Sequence, residues 1–514
     1  EMCIRDSSRT VTMQVTDGDG GTSALETRTI DVTPLNDAPV LTNGGTGTIF
    51  ENGSGLAPFF NDGTVIDPDS ADFAGGTLTF SVASGGDGSE GLSLAAFAGV
   101  TTSGSDVFVS GVQVGTYSGG TGGTPLVVTF DADATVSRVE SVYKALAIHV
   151  VGEDPTSGLR SLEVVVNDGD GGPSNVATAS VTFSAVNDDP TITNLDADAL
   201  AYTEGDGAVV IDQGAAALVA DVDSADFAGG GLNVEIDGGS VASEDVLSIR
   251  NQGTDAGEIG VSGSDVTYAG VVIGTVAGGI GVTPLTVTFN ANADAVSVSA
   301  LLQNITYENT NVSNPTEGMR SIAVDVTDGD GGSTLTHNPS ITVTAVNDPP
   351  SVGTTGSSLD YTENDGAVAV DSGLVLSDPD NANLTGATVR IAAGFLSTED
   401  SLAFVDQLGI TGSYVAATGI LTLSGTASVA DYQTALRSVT YENSSELPDT
   451  TDRQINFQVN DGVAIAGSNR TVTVASINDD PTNIGSLPPD VAVTEDVMEP
   501  IDLSSFVLQD VDAN

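Results

Sequence analysis

The chain has almost no positive charge. Lysine and arginine number 12 among 514 residues, Lys144 is the only lysine, and aspartate and glutamate number 71. The formal net charge of −59 repels nucleic acid and anionic membrane surfaces and attracts cations. It therefore excludes a nucleic-acid partner. Solvation of an acidic surface at high salt is one explanation of this charge, and cation binding is another.

The chain also lacks the residues that stabilise many extracellular domains. Cys3 is the only cysteine, so no disulfide forms within the chain. Zinc and copper sites need histidine or cysteine, and apart from Cys3 the chain offers only His149 and His337. If the protein is extracellular, a bound metal of another kind is the usual substitute for disulfides.

Long apolar runs are missing as well. No stretch of eighteen apolar residues occurs, so no membrane insertion is predicted for this segment. The N-terminus lacks the basic and then apolar pattern of a signal peptide. Residues 1–8, EMCIRDSS, differ from everything that follows, and we interpret them as a cloning or sequencing scar on a fragment of a longer protein.

What the chain does contain is a long-period repeat. An Asn-Asp pair followed closely by proline recurs at Asn36, Asn187, Asn347 and Asn478, at intervals of 131 to 160 residues. Such a period predicts a tandem array of similar domains. The predicted divisions are 1–39 (the end of a truncated repeat), 40–190, 191–350, 351–481 (a shorter repeat) and 482–514 (the start of a further truncated repeat).

Each period carries acidic landmarks in the same order. A glutamate follows the first predicted strand, an Asp-x-Asp comes about sixteen residues later, and an aspartate closes a late strand in sequences such as VTDGDGG. The glutamates are Glu51, Glu204, Glu363 and Glu495. The Asp-x-Asp pairs are Asp67 and Asp69, Asp221 and Asp223, Asp378 and Asp380, and Asp510 and Asp512. The late aspartates are Asp17, Asp168, Asp328 and Asp461.

Between the landmarks the pattern is that of β-strands. Segments such as LEVVV and SIAVDV alternate apolar with polar or small residues, and Asp-Gly and Gly-Gly pairs separate them at hairpin spacing. One short helix is predicted in each period, within DADATVSRVESVYKAL, NADAVSVSALLQ and TASVADYQTAL. The predicted fold is therefore all-β, a tandem array of Greek-key β-sandwich repeats with one short helix each. The shortest repeat is predicted to lack the hairpin at 274–289.

The positions of the acidic landmarks favour a calcium site. A β-sandwich gathers its loops at its two ends, so the landmarks of neighbouring repeats are expected to meet at the Asn-Asp linker. Two carboxylates ~6 Å apart repel by about 3 kcal/mol at an effective dielectric constant near 20. Ca²⁺ removes this repulsion and takes about six to eight oxygen ligands, whereas Mg²⁺ keeps its waters and a strict octahedron. We therefore expect several Ca²⁺ ions at the junctions.

As an ordered set, these motifs resemble the cadherin repeat, in particular the cadherin-like repeats of very large bacterial surface adhesins. The resemblance covers the chain after its first ten residues. It implies a cadherin- or immunoglobulin-like sandwich and calcium ions shared between neighbouring repeats. The sequence departs from the pattern in its longer periods and in a linker that often reads Asp-Pro where cadherins have a second Asn.

The resemblance also implies a ligand set for each junction. At Asn347 the set is Glu204, Glu308 (from a Tyr-Glu-Asn motif), Asn347, Asp348, Asp378, Asp380 and Asp461. At Asn478 it is Glu363, Glu442 (from a second Tyr-Glu-Asn), Asn478, Asp479, Asp510 and Asp512. At Asn187 it is Glu51, Asn187, Asp188, Asp221, Asp223 and Asp328, with Glu153 in place of the missing Tyr-Glu-Asn glutamate. At Asn36 it is Asn36, Asp37, Asp67, Asp69 and Asp168.

The implied function is a calcium-rigidified extender or adhesion stalk of a secreted or surface-anchored bacterial adhesin, whose partners are Ca²⁺ and an unidentified extracellular ligand. An alternative is a set of accessory repeats of an extracellular enzyme whose catalytic domain lies outside this sequence. Catalysis within the chain is not expected, because His149 has no counterpart in the other repeats. A carboxylate pair serving glycoside hydrolysis would occur once, not in every repeat.

Overall fold

The computed structural model describes residues 8–51, 57–486, 490, 492, 494–495, 498 and 500–512. The interpretation of residues 1–8 as a scar falls outside this range except for Ser8. Strands dominate the described residues, and three short helices interrupt them. The predicted all-β array of sandwich repeats with one short helix each is confirmed. None of the helices in these ranges has the length and apolar character that a membrane crossing requires.

The first unit runs from Val40 to Ser184, after an antiparallel pair formed by β1 (Arg9–Met13) and β2 (Glu26–Ile30). Its elements are β3 (Val40–Leu41), β4 (Thr46–Phe50), β5 (Ala57–Pro58), β6 (Val65–Ile66), β7 (Thr77–Ser84), β8 (Glu90–Leu94), β9 (Val100–Ser103), β10 (Asp106–Val109), β11 (Val112–Gly119), β12 (Leu126–Phe130), α1 (Val136–Lys144), β13 (Leu146–Val150), β14 (Gly158–Asn167) and β15 (Ala177–Ser184). They form an eight-stranded sheet in the order β4-β15-β14-β7-β12-β11-β10-β9, a three-stranded sheet β5-β13-β8 and the pair β3-β6.

The second unit, Thr191 to Thr344, repeats this topology strand for strand. Its elements are β16 (Thr191–Thr193), β17 (Ala199–Thr203), β18 (Val209–Val210), β19 (Leu218–Ala220), β20 (Gly231–Gly238), β21 (Asp245–Ile249), β22 (Ile259–Ser262), β23 (Asp265–Tyr268), β24 (Val271–Gly278), β25 (Leu285–Phe289), α2 (Ala295–Leu302), β26 (Ile305–Asn309), β27 (Gly318–Thr327) and β28 (Ser340–Thr344). The sheets are β17-β28-β27-β20-β25-β24-β23-β22, β18-β26-β21 and β16-β19.

In the third unit, Ser351 to Ala475, the larger sheet has six strands instead of eight. Its elements are β29 (Ser351–Gly353), β30 (Leu359–Thr362), β31 (Val368–Ala369), β32 (Val375–Ser377), β33 (Asn383–Ala393), β34 (Asp400–Ala403), β35 (Thr411–Val415), β36 (Ile420–Ser428), α3 (Val429–Arg437), β37 (Thr440–Asn443), β38 (Arg453–Asn460) and β39 (Ile465–Ala475). The sheets are β30-β39-β38-β33-β36-β35, β31-β37-β34 and β29-β32, and a final pair joins β40 (Thr482–Asn483) to β41 (Leu508–Gln509).

The shortening of the third unit differs from the sequence prediction. In every unit the strand that runs into the helix pairs with the central strand of the large sheet; this strand is β12, β25 or β36. By position in the sheet, β36 and β35 correspond to β25 and β24, so the third unit keeps the hairpin predicted to be missing. The strands without a counterpart are those equivalent to β22 and β23. They lie at the edge of the sheet, where their loss leaves the core covered.

In each unit, an early strand lies parallel to the last strand. The parallel pairs are β4 with β15, β17 with β28, and β30 with β39. All other named pairings are antiparallel. The long strands alternate buried and exposed side chains, as the two-residue period of one-sided burial predicts; β14, for example, buries every second residue from Arg160 to Val166.

Two of the three helices in the described residues begin at a side-chain cap, whereas Thr135 before α1 makes no capping hydrogen bond through its side chain. Asp294 caps α2 by accepting a hydrogen bond from the Ser297 amide, and Ser428 caps α3 by accepting one from the Asp431 amide. Each helix covers the core of its own unit: Tyr432 and Leu436 of α3 are buried, as their spacing predicts. The apolar residues form three separate clusters, one per unit. The extent of independently folding domains stays a prediction.

A buried ion pair joins the two sheets of every unit. Arg160, Arg320 and Arg453 lie on the large sheets and are at most 1% exposed. Each guanidinium contacts a buried carboxylate on the three-stranded sheet. The Nε–O distances are 2.9 Å for Arg160 and Glu90, 3.3 Å for Arg320 and Asp245, and 3.2 Å for Arg453 and Asp400.

Further hydrogen bonds satisfy the members of these ion pairs. The hydroxyl of Tyr307 donates to Asp245 at 2.6 Å, and that of Tyr441 donates to Asp400 at the same distance. In the second unit, Arg320 also donates to the carbonyl of Thr316 at 2.8 Å. A buried charge is costly unless it is paired and hydrogen-bonded, so each arginine and its carboxylate depend on one another.

This dependence is testable in the second unit. Replacing Arg320→Met leaves Asp245 buried without its cation, and we expect it to lower the free energy of unfolding by about 3–5 kcal/mol. Replacing both residues, Arg320→Met with Asp245→Leu, removes both charges and should restore most of the loss. Urea unfolding followed by circular dichroism measures both effects, with Arg390→Met on the exposed face of β33 as the control. A double variant as unstable as the single one would contradict the pairing.

Candidate metal centres

The four Asn-Asp linkers each contact acidic side chains of the unit that follows. The linkers at Asn187, Asn347 and Asn478 also contact a glutamate of the unit before them. We call a linker together with the carboxylates that contact it a joint, and identify the joints by Asn36, Asn187, Asn347 and Asn478. The sequence-predicted residues around them fall into three classes according to how their oxygens are used.

The glutamates before the linker form the first class. In each case one carboxylate oxygen accepts a hydrogen bond from the linker amide just before the asparagine, and the other oxygen has no donor. The bonded pairs are Glu51 Oε2 with Val186 (2.9 Å), Glu204 Oε2 with Val346 (2.8 Å) and Glu363 Oε2 with Ile477 (3.0 Å). The free oxygen is Oε1 in all three.

The Asp-x-Asp pairs form the second class. As in the glutamates, one oxygen of the carboxylate accepts a backbone amide and the other can remain without a donor. In the second unit, Asp221 Oδ1 accepts the amides of Asp223 and Ser224, at 3.2 and 2.9 Å, and its Oδ2 has no donor. Asp223 Oδ2 accepts the linker amide of Asp188 at 3.1 Å and leaves Oδ1 free.

The other joints repeat this arrangement. The corresponding contacts to the linker are Asp69 with the Asp37 amide (3.2 Å), Asp380 with the Asp348 amide and Asp512 with the Asp479 amide. The first aspartate in turn accepts the amide of the second, in Asp67 with Asp69, Asp378 with Asp380, and Asp510 with Asp512.

The late aspartates form the third class, and their oxygens are already occupied. Asp328 is fully buried, and its Oδ1 accepts amides of the DGDGG turn at 2.8 to 3.0 Å. Its Oδ2 accepts the side-chain amide of Asn187 at 2.8 Å. Asp168 with Asn36 and Asp461 with Asn347 make the same contact, at 2.9 and 3.1 Å. These aspartates fix the linker asparagine instead of presenting a free oxygen.

A glycine allows this close approach. A Cβ atom on Gly332 would lie 2.3 Å from Asp328 Oδ2 and 2.9 Å from Asn187 Nδ2. Any larger residue would push the linker away from the turn. The DGDGG sequence is therefore needed both for its turn and for the space beside it.

Two joints also contain a compact group of three carboxylates. Ligand oxygens of Glu51, Glu153 and Asp188 lie within 4.8 Å of one another, and so do those of Glu363, Glu446 and Asp479. Glu153 was the predicted stand-in, whereas Glu446 was missed by sequence reasoning. Both glutamates stand seven residues before the buried arginine of their unit, a signal that the sequence does contain.

The two Tyr-Glu-Asn glutamates are not brought into these groups. Glu308 and Glu442 directly follow the buried Tyr307 and Tyr441 on β26 and β37. Successive side chains of a strand point to opposite faces, so the tyrosine faces the core and the glutamate faces away. Among the described residues, neither glutamate accepts a hydrogen bond from a linker.

The free oxygens concentrate at the joints. Sixteen buried side-chain nitrogen and oxygen atoms in the described part of the chain have no hydrogen-bond partner, and all ten carboxylate oxygens among them belong to the sequence-predicted sets. They are those of Asp67 at Asn36; Glu51, Asp188, Asp221 and Asp223 at Asn187; Glu204, Asp378 and Asp380 at Asn347; and Glu363 and Asp479 at Asn478.

Burial raises the pKa of four of these carboxylates, those of Glu51, Asp67, Asp221 and Asp479. Burial raises the pKa of Glu51; the Val186 amide opposes this, and the charges of Asp188, Asp223 and Glu153 raise it further. Burial likewise raises the pKa of Asp221, with a further contribution from Asp223. For Asp328, burial also acts to raise the pKa, but the hydrogen bonds from Asn187 and the turn amides outweigh it, so the net pKa is lowered. The carboxylates of Glu51 and Asp221 thus lie in an environment that disfavours their negative charge.

The donor set fits a hard cation. Each joint presents carboxylate oxygens fixed in direction by a backbone hydrogen bond at the other oxygen, which suits Ca²⁺. Glu363 is 2% exposed, and its unpartnered Oε1 is the kind of buried polar atom that needs a partner. Neither His149 nor His337 belongs to the carboxylate groups of the joints, so the described donors are oxygens throughout.

Comparison with known proteins gives partial similarity. No protein-family model matches the chain. Over 160 residues, 30% of this chain, it is 38% identical to halomucin of Haloquadratum walsbyi. The matched stretch spans 2% of the length of halomucin.

Among solved structures, the chain aligns at low TM-score with tandem cadherin domains and with tandem domains of titin. Cadherin domains 1–4 of protocadherin gamma B7 match at 12% identity, covering 91% of this chain and 83% of theirs, with a TM-score of 0.25. Domains 1–4 of Drosophila N-cadherin match at 12% identity, 91% and 84% coverage, and a TM-score of 0.22. Titin domains I67–I69 match at 8% identity, 86% and 99% coverage, and a TM-score of 0.21.

The free carboxylates predict an unusual stability effect. Without divalent cations, Glu51→Gln should stabilise the folded chain by roughly 1 kcal/mol, because it removes one charge from a repelling group while the amide oxygen still accepts from Val186. Calorimetry in a chelating buffer measures the effect, with Asp265→Asn on the exposed edge of β23 as the control. A lower melting temperature for Glu51→Gln in chelator would contradict mutual repulsion at this joint.

Proposed function

We propose that this chain is a calcium-rigidified extender in an extracellular adhesin. The observation that carries the proposal is that, in the part of the chain that the structure describes, ten buried carboxylate oxygens lack a hydrogen-bond donor and all ten lie at the joints. An unsatisfied buried polar group costs about 1–3 kcal/mol, and a charged one more. A shared Ca²⁺ ion would offset this cost at each joint and would hold two units to one linker.

The residues at the joints would have two separate roles in binding calcium. The Glu and Asp-x-Asp side chains, with Asp188 and Asp479 of the linkers, would supply free carboxylate oxygens. The late aspartates would hold the linker asparagines in position from behind, as positioning residues. Glu308 and Glu442 would stay outside the coordination sphere. When bound, Ca²⁺ supplies only charge and coordination, since it has no redox chemistry of use here.

The mechanical consequence is a stiff array. A flexible linker between two highly acidic units allows them to swing apart, whereas a cation coordinated by both units and the linker fixes their angle. An array of such units would project a distal binding domain from a cell surface. We assign no catalytic residue, since the unpartnered carboxylate oxygens of the described residues all belong to the joints. Bacterial origin, surface anchoring and the adhesion ligand are parts of the same proposal.

Small-angle X-ray scattering tests the stiffening. With Ca²⁺, the chain should show a longer maximum dimension and a narrower range of conformations than in chelator, and isothermal titration should give several ions per chain. Titration with Mg²⁺ is the control for non-specific neutralisation of charge, because Mg²⁺ keeps its waters. Identical scattering profiles in Ca²⁺ and chelator would overturn the proposal.

A single joint should be separable from the stability of its units. Asp378→Ala with Asp380→Ala removes two free oxygens and the contact to the Asp348 amide at the joint of Asn347. We expect this variant to lose calcium at one joint and to gain flexibility there, while the melting temperatures of the second and third units in chelator do not fall. Asp325→Asn on β27 of the second unit, away from every linker contact, is the matched control. Unfolding of both neighbouring units would contradict the assignment of these aspartates to the joint.

A further inference from the structure

We propose that the joint at Asn347 is held in part by a direct hydrogen bond between its two units, so that it stays docked after loss of the cation more than the joints at Asn187 and Asn478 do. The comparison with calcium rests on the proposed function, whereas the hydrogen bond itself does not. Cation dependence would then differ from joint to joint along one chain.

The first observation is a contact that crosses this joint. The side-chain amide of Asn314, in the loop after β26 of the second unit, donates to the carbonyl of Pro379 in the third unit at 2.9 Å. Among the hydrogen bonds of the described residues, it is the only one that joins two neighbouring units directly instead of through the linker.

The second observation comes from the equivalent positions of the other units. Counting back from the buried arginines Arg160, Arg320 and Arg453, the sixth residue is Asp154, Asn314 or Leu447. A carboxylate has no proton to donate at neutral pH, and leucine has no polar group, so neither neighbour can make this bond. Asn314 is therefore specific to the joint at Asn347.

The third observation is a missing charge beside Asn314. The seventh residue before the arginine is Glu153 in the first unit and Glu446 in the third, and both glutamates belong to three-carboxylate groups. The second unit has Ser313 at this position. Among the described residues, the joint at Asn347 has no group of three carboxylates at that mutual distance. This joint has one carboxylate that the joint at Asn187 lacks, Glu317, which accepts the linker amide of Ala345 at 3.1 Å but belongs to no three-carboxylate group. Less repulsion is therefore expected there when no cation is bound.

A fourth contact ties the linker to the third unit. The side-chain amide of Asn381 donates to Asn347 Oδ1 at 2.8 Å. The equivalent residue after Asp221-x-Asp223 is Ser224, and among the described residues its hydroxyl makes no hydrogen bond to Asn187. Both sides of the joint at Asn347 thus gain an amide hydrogen bond, where the joint at Asn187 has the carboxylate of Asp154 and the hydroxyl of Ser224 at the equivalent positions. A net hydrogen bond is worth about a factor of five in an equilibrium constant, so the ratio of docked to open forms should differ measurably between joints.

Distance measurements between spin labels test this in the full chain. In a Cys3→Ser background, labels at Thr178→Cys and Thr286→Cys span the joint at Asn187, and labels at Thr286→Cys and Thr411→Cys span the joint at Asn347; all three threonines are exposed. In chelator, the distance distribution across Asn187 should be at least twice as broad as that across Asn347. Equal widths in chelator would overturn the proposal.

Exchanging the residues provides matched variants. Ser313→Glu with Asn314→Asp gives the second unit the sequence of Glu153 and Asp154, and should broaden the distribution across Asn347 in chelator to that seen across Asn187. The reverse exchange, Glu153→Ser with Asp154→Asn, should narrow the distribution across Asn187. Asn251→Ser, whose side chain bonds only within its own unit at Val261, should change neither.

The outcomes separate this proposal from the calcium proposal. If Ca²⁺ narrows neither joint, the calcium proposal fails, but the exchange of Ser313 and Asn314 in chelator still decides whether the hydrogen bond holds the joint. If Ca²⁺ narrows both joints and the exchange has no effect, calcium binding stands and the direct bond is overturned. Unfolding is monitored by circular dichroism, and the single variant Asn314→Leu, which copies Leu447, replaces the exchange if the latter does not fold.

Discussion

The arrangement of each joint depends on carboxylates that use only one of their two oxygens as a hydrogen-bond acceptor. At the joints, one oxygen of a carboxylate accepts a backbone amide and its partner oxygen has none, in the same order around successive linkers. The backbone bond fixes the direction of the free oxygen before any ligand arrives, which lowers the conformational cost of binding. The same arrangement makes the unliganded joint unfavourable, because several negative groups converge within a few ångströms. In the proposed function, the stiffness of the array and the binding of a cation would therefore have the same origin.

The distribution of positive charge reinforces this demand. Three of the few arginines, Arg160, Arg320 and Arg453, are buried inside the units, where each forms an ion pair that joins the two sheets. None of the ion pairs among the described residues involves a carboxylate that contacts a linker. Among the described residues, the acids that contact the linkers thus form no ion pair with an arginine, lysine or histidine of the chain. In the proposed function, a bound cation would neutralise them. Buried carboxylates in the core are thus neutralised by arginine, whereas those at the joints would be neutralised by a bound cation.

The sequence predicted the architecture and most of the joint contacts, and its errors have physical causes. Strand alternation and the repeated Asn-Asp linker predict the sandwiches because the period of the pattern is set by one-sided burial. The late aspartates were predicted as ligands. The contacts of Asp328 show that the turn amides and the linker asparagine already occupy the oxygens of its carboxylate, which only the three-dimensional hydrogen bonding reveals.

Glu308 was chosen by motif, whereas the alternation of side chains along its strand turns it away from the core face. Glu446 was overlooked because it belongs to no recognisable motif. Its only signal is its position in the sequence, seven residues before a buried arginine. The missing hairpin of the third unit was misplaced because a shorter period does not show which hairpin is absent, whereas the strand order does.

The parallel pairing of an early strand with the last strand has a consequence for load. When the ends of a unit such as the second are pulled apart, β17 and β28 are drawn in opposite directions along their length. The ladder of hydrogen bonds between them, from Ala199 beside Ser340 to Thr203 beside Thr344, is then stressed together in shear, not opened one rung at a time. Tension transmitted through a row of such units would meet its resistance at these strand pairs, and the rate of forced unfolding would be governed by rupture of a whole ladder in one event.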